Sequence, residues 1–247
     1  MKVLIKTISI LLSLCLTFLL FAFSSQAAEL DRAPKKDKTN TYALDKKNAV
    51  WDEELQAYVI PLKKVNGQLQ PVSPDIYLNE ISTLTFEKTD GLYSEESTTD
   101  VVYPNADYRE WYEFTPTSIS DLTGSTKKVT ADIYCSATNG CRIDKSVGVT
   151  VSASYSVSLT AEKDAIKANA GFTWVNSASD TSVYSFSIAY GDRGYIGFRP
   201  YLKRTYGTLK KYSNWDGYLS SKTAYGYSPK KTYSGEADGY YYFVYTN

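Results

Sequence analysis

Residues 146–161 read SVGVTVSASYSVSLTA, and no other stretch restricts the fold as tightly. Val147, Val149, Val151, Ala153, Tyr155, Val157, Leu159 and Ala161 alternate with Ser146, Gly148, Thr150, Ser152, Ser154, Ser156, Ser158 and Thr160. A period of two without exception predicts a strand with one apolar face and one small, neutral face. Fully extended, it would span roughly 53 Å, well beyond an ordinary strand.

A strand of that kind needs a sheet against which to bury its odd face. The predicted fold class is therefore mainly β: an antiparallel long-strand sheet or sandwich, with a short N-terminal helix. That helix is expected after Ser73-Pro74-Asp75, where an N-cap residue, a proline and a first-turn acid precede Ile76, Tyr77, Glu80 and Ile81. Upstream, Tyr58–Leu62 reads as a strand and Asn66-Gly67 as a type I′ turn. Pro61 and Pro71 push the flanking strands toward a sheet edge.

The chain divides by composition. Lys2 and Lys6, the apolar run Ile8 to Phe23, and Ser25-Gln26-Ala27 form a secretory signal peptide over 1–27. Residues 28–50 are charged and read as a flexible leader. Residues 51–125 are expected to form a small acidic α+β subdomain, and 126–247 a long-stranded, tyrosine-rich β domain. The first part, 28–125, holds 18 acids and 10 bases, whereas 126–247 holds 9 acids and 15 bases. The bases are scattered, which argues against nucleic acid as a partner. The expected product is secreted and extracellular.

Once the signal is removed, two cysteines remain, Cys135 and Cys141. An even pair in an exported chain predicts a disulfide, and C-x5-C without any histidine argues against a metal site. Centring a turn on Thr138 sets Ile133 opposite Ile143 and Val129 opposite Val147, which predicts a hairpin stapled at its tip. Beyond Ala161, Ile166, Ala168, Ala170, Phe172 and Trp174 alternate with polar or small residues. The alternation favours a returning strand over a short helix in AEKDAIKANA. Tyr184, Phe186, Ile188 and Tyr190 continue as another strand, Gly191–Gly194 turns into Tyr195–Tyr206, and Tyr240–Tyr245 closes the sheet.

Fourteen of the 23 tyrosines lie at or beyond Tyr184. Tyrosine suits a half-buried sheet whose hydroxyls stay wet, and Trp215, Tyr218, Tyr225 and Tyr227 are candidates for a binding surface. Tyr108, Trp111, Tyr112 and Phe114 form a second aromatic cluster, read as core or as a carbohydrate-stacking platform. Histidine-dependent nucleophilic catalysis is excluded. Asp107, Glu110 and Glu113 are the acids from which a glycosidase pair would be drawn, but their spacing does not demand one. No cofactor is implied.

Residues 127–206 resemble the aerolysin-type β-pore-forming proteins, in which two Ser/Thr-rich alternating strands flank a polar tip. SVGVTVSASYSVSLTA and IKANAGFTW correspond to the legs, EKDA to the tip, and SFSIAYGDRGYIGFRPYLKRTYG to the strands that follow. The chain departs from that family at Ala189-Tyr190-Gly191, where a proline-rich turn is common, and in carrying the disulfide. It is also similar to small secreted β-proteins of Gram-positive bacteria, which implies no function. Two functions compete. The sequence favours a secreted, non-enzymatic binding or cell-surface module, with a cell-envelope glycan, a protein or a membrane as partner. The alternative is a pore-forming protein that self-associates and inserts hairpin 146–175, with Val147, Val149, Val151, Ala153, Tyr155, Val157 and Leu159 facing lipid rather than a core. A carboxylate-dependent hydrolase is a third reading.

Overall fold

The computed structural model describes residues 41–94 and 107–246. The expected signal peptide over 1–27 and the first part of the expected leader lie outside the described residues. The fold is mainly β and is organised by its longest described strand, β12 (Arg193–Ser213). The first part of β12 pairs with β14 (Gly239–Tyr245) on one side and with the short β7 (Lys127–Lys128) and β8 (Ile133–Tyr134) on the other. From Tyr201 onward it changes partners to β6 (Glu110–Thr123) and β13 (Gly217–Pro229). One strand thus belongs to two sheets.

The first sheet continues from β14 to β3 (Ala57–Val65), flanked by β2 (Val50–Asp52) and β4 (Gln68–Pro71). Asn66 and Gly67 both take positive φ, as a type I′ turn between β3 and β4 requires. Pro61 does not mark a sheet edge, because β3 lies between β4 and β14. Its missing N–H falls between the stretches of β3 that β2 and β4 pair with, and its carbonyl accepts from Val72 N at 2.9 Å. Helix α1 (Pro74–Ile81) and β5 (Thr85–Phe86) follow.

β9 (Cys141–Ser152) and β11 (Ser177–Ile188) pair antiparallel along their full lengths. Their inward side chains, including Val147, Val149, Val151, Tyr184, Phe186 and Ile188, pack against Ile60, Leu62, Ile196, Phe198, Tyr241 and Phe243 in the main core. β1 (Tyr42–Ala43) adds in parallel to the other side of β11, and Tyr42 and Leu44 are buried. Leader residues 41–50 therefore carry packed structure. Pairing of β3 with β14 and of β6 with β12 crosses the expected division at 125/126.

Three sequence expectations need correction. The 146–161 strand ends at Ser152, resumes as β10 (Ser154–Tyr155), and gives way to helix α2 (Thr160–Ala168). Its alternation still governs burial through Val157, because β10 presents the same face to a different sheet, pairing with β13. The disulfide Cys135–Cys141 is present, with Cα atoms 5.5 Å apart, but it staples no hairpin. β8 pairs with β12 and β9 with β11, so the two cysteines link strands of different pairings. Finally, β14 is a central strand, and tyrosines 240, 241, 242 and 245 are buried. Their rings pack on both sheet faces, against the main core on one side and against Tyr77 of α1 on the other.

Candidate functional site

Two regions stand out above the core: the segment 153–176 and the far end of the β6–β12–β13 sheet. The first connects β9 to β11 and contains β10 and α2. It covers one face of the second sheet, where Ala153, Tyr155, Val157, Ala165 and Ile166 pack on Phe114, Leu209 and Ala224. Polar contacts fasten its rim. Glu162 is buried and meets Lys222 at 2.6 Å, and Lys163 donates to Ser94 O at 2.7 Å. Ser156 bonds Tyr225 through both its backbone and its hydroxyl. Gly226 leaves room beneath the segment: a Cβ there would lie 2.9–3.2 Å from Trp174, Ile166 and Tyr155.

Helix α2 has weak local support. It spans nine residues, and its N-cap is Leu159, whose side chain has no acceptor. Helices this short are marginal in water without tertiary packing. Leu159 is 39 % exposed, so the apolar run stops contributing to the core there. The indole nitrogen of Trp174 is buried without a hydrogen-bond partner among the described residues, which costs about 1–3 kcal/mol.

The pairing of β9 with β11 does not stop cleanly at its last paired residues, Ser152 and Ser177. Ala153 N still donates to Asn176 O at 2.7 Å, and the Tyr155 and Trp174 rings stack at 5.4 Å. Continuing that register would set Tyr155 opposite Trp174, Val157 opposite Phe172, Leu159 opposite Ala170, and Ala161 opposite Ala168. From Tyr155 to Ala161 each apolar residue of one leg would meet an apolar residue of the other on a single face, while Ala153 would face Asn176 at the base. Ser154, Ser156, Ser158, Thr160, Asn169, Gly171 and Thr173 would share the opposite face with Val175, and Glu162 would lie across from Lys167 beside the turn.

At the far end of the second sheet, adjacent strands each contribute an aromatic. Trp111 stacks on Tyr212 at 5.6 Å, and Tyr218 meets Tyr212 edge-on at 5.9 Å. Trp215 occupies the β12–β13 turn, edge-on to Tyr108 at 5.4 Å. Asn214 clips the two loops together: Arg109 N donates to its side-chain oxygen at 2.8 Å, and its amide donates to Asp107 O at 2.6 Å. Of the expected binding surface, Trp215 (63 % exposed) and Tyr218 (55 %) lie here. Tyr225 is half-buried and stacks on Tyr206. Tyr227 is only 2 % exposed, its hydroxyl bonded to Glu87. Within the earlier aromatic cluster only Phe114 is buried, while Trp111 is 41 % exposed.

The candidate acids Glu110 and Glu113 are each tied to a neighbour. Lys211, at 2.7 Å, holds the Glu110 carboxyl below the ordinary carboxylate range against a small effect of burial, and Tyr108 adds a second bond. Glu113 accepts from the Trp111 indole. A general acid needs the opposite shift. A polar cavity of about 480 Å³ lies elsewhere, lined by Lys64, Asp180, Glu236 and Tyr241 among others. Lys64 bridges Asp180 at 2.6 Å and Glu236 at 2.7 Å, so these carboxylates are tied to each other through one ammonium. Among the described residues no cluster of histidine, cysteine and acids suits a metal ion, and no helix is long and apolar enough to cross a membrane.

The model of a family described as "Family of unknown function (DUF6060)" matches residues 106–247, which take in β6 through β14 with both regions above. No curated protein and no solved structure matches the chain.

Proposed function

We propose, for a chain that belongs to the DUF6060 family of unknown function, a secreted, non-enzymatic protein that acts on membranes by inserting residues 153–176 as a β-hairpin. The observation that carries this is the register. The β9–β11 pairing, continued through a segment now folded as β10 and α2, yields a two-faced hairpin without charge in either leg. Its legs, 153–161 and 168–176, have nine residues each, close to the length of about 9–11 that a membrane strand needs. Apart from Asn176 at its base, one face suits lipid; the other, of serine, threonine, asparagine and glycine with Val175 at the base, suits a lumen.

Release is opposed in water. Lifting the segment uncovers Tyr155, Val157 and Ile166 together with Phe114 and Leu209 beneath. At about 1.5–3 kcal/mol per large apolar side chain, these five oppose release by roughly 10 kcal/mol. A bilayer that accepts the leg residues restores that term, and the Trp174 indole, unbonded where it lies, gains access to interfacial partners. Because two strands leave open edges, a stable span requires several copies whose hairpins close a barrel.

The test is dye release from liposomes, with the segment tethered by Ser156→Cys and Tyr225→Cys, a directly opposed pair. The untethered protein should release dye. The oxidised double variant should not, and reductant should restore release while leaving the unmodified protein's activity in place. Absence of leakage across neutral and anionic vesicles, or full leakage from the oxidised variant, would remove the proposal.

The rigid aromatic end supports a second reading, in which the segment stays folded and the protein is a soluble binding module. Binding without leakage and without detachment of residues 153–176 is its signature.

A further inference from the structure

We infer that the aromatic end of the β6–β12–β13 sheet is a binding site for a neutral, pyranose-based glycan chain. This rests on neither account of segment 153–176, which covers the sheet nearer β10.

The rings are available and held in place. Trp111 has one face on Tyr212. Its other face lies toward the free side of β6, where among the described residues only β5 pairs, at Leu122 and Thr123. Trp215 is exposed enough that a broad face of its indole meets solvent. Two open indole faces provide two stacking positions, which fits an oligosaccharide better than a single sugar. Asn214 fixes the separation of the loops that carry Tyr108 and Trp215, so little ordering is required on binding.

The polar groups choose the ligand. Asp107, Glu110, Glu113 and Asp216 are interleaved with the rings, against Arg109, Lys210 and Lys211. Carboxylates among the aromatics oppose entry into lipid, where an ionised acid is costly. With four acids against three bases and Lys211 paired to Glu110, the end presents no surplus of positive charge to sulfated or uronic-acid polymers or anionic headgroups. Sugar hydroxyls donate to carboxylate oxygens, while the apolar face of a pyranose ring covers an indole. A neutral hexose or N-acetylhexosamine chain satisfies both demands.

Tryptophan fluorescence titration with cellohexaose, chitohexaose and mannohexaose tests the site, using the full folded chain without vesicles. Saturable quenching by at least one hexasaccharide is expected. Trp215→Ala should weaken it at least tenfold. Asn214→Ala, which removes no ring, should weaken it severalfold. Tyr58→Ala should leave it unchanged, since this exposed tyrosine packs on Trp51 away from the site. Melting curves of the variants exclude misfolding. No saturable response to any of the three sugars, or undiminished binding by Trp215→Ala, would overturn the assignment. Dye release is scored separately, so the failure of either idea is visible without the other.

Discussion

Gly226 of β13 lies so close to Trp174 that a single added carbon would sit 2.9 Å from the far edge of its indole. The other two nearest atoms to that carbon belong to Ile166 and Tyr155, so everything it would meet first comes from segment 153–176. Gly226→Ala should therefore act on the segment rather than on the sheet. The expected loss is about 1–3 kcal/mol, read by denaturant unfolding, with hydrogen exchange accelerated in 153–176 before β12 or β14. If insertion is the function, this variant should release dye faster than the unmodified chain.

Glu162 and Lys222 provide a second handle on the same segment. The carboxylate is buried, but its partner lysine is mostly in solvent, so the pair is worth less than a buried one. Glu162→Gln keeps the shape and should cost about 1 kcal/mol. Exchange protection across Thr160–Ala168 should fall while protection of β9 and β11 is retained. Unchanged protection in the helix would show that apolar packing alone holds it.

Asp180 and Asp238 should respond to acid with opposite signs. Burial pushes the Asp180 carboxyl up, but bonds from Lys64, Tyr241 and Ser182 outweigh it and hold the group below the ordinary range. Glu80 behaves likewise, burial being overcome by the Tyr240 hydroxyl and Lys63. Carboxylates depressed in the fold add stability that is complete above their unfolded values, near about pH 4, and is lost as pH falls through the folded ones. The melting temperature should drop on acidification below that point, and Asp180→Asn should lower it at pH 7 and flatten the acid limb. Burial raises the Asp238 carboxyl, with Lys230 and the Gly239 N–H only partly offsetting it. Its unfavourable charge is present at neutral pH and disappears on protonation. Asp238→Asn should raise the melting temperature at pH 7 and leave it unchanged near pH 3.

Replacing Cys135 and Cys141 by serine should cost about 2 kcal/mol, since the loop is short. For a fold of this size that corresponds to a melting temperature about 4–8 °C lower. Cys135 is fully buried and its backbone bonds Gly191 and Asp192, so the turn into β12 should loosen first. Amide exchange at Gly191 and Asp192 reads this directly.

Local alternation in the sequence was a good guide wherever the strand's partner did not matter. The buried odd positions of β9 and the buried Tyr184, Phe186 and Ile188 of β11 follow from the sequence, as does the Asn66-Gly67 turn, whereas the first half of β11, where Asp180 and Ser182 are buried, reads as a polar bend. Partner choice was not legible. Cys135 and Cys141 suggest a local hairpin, but β9 is claimed by β11, which pairs with it over twelve positions and shares its buried face at Ala178, Phe186 and Ile188. Helix α2 was hidden because Ile166 and Ala168 fit a period of two, while the surface beneath them, Phe114 and Leu209, comes from distant sequence. The burial of β14 was equally hidden. The hydroxyls of Tyr240, Tyr241 and Tyr242 meet Glu80, Asp180 and Tyr77, from helix α1 and strand β11. At the aromatic end, Trp215 and Tyr218 could be read from composition, but their neighbours Trp111 and Tyr108 depend on the alignment of β6 beside β12.

The place of β14 also governs timing. It follows every strand described here in the chain, yet both β3 and β12 need it as a neighbour, and two hydrophobic clusters meet on its faces. No earlier stretch can complete the core in its absence, because β3 and the first part of β12 would each lack a partner. The main core therefore cannot close until residues 239–245 are available, a delay that long-range pairings impose. The β9–β11 pair and the β6–β12–β13 sheet can form before it, but only the last strand bridges β12 to β3.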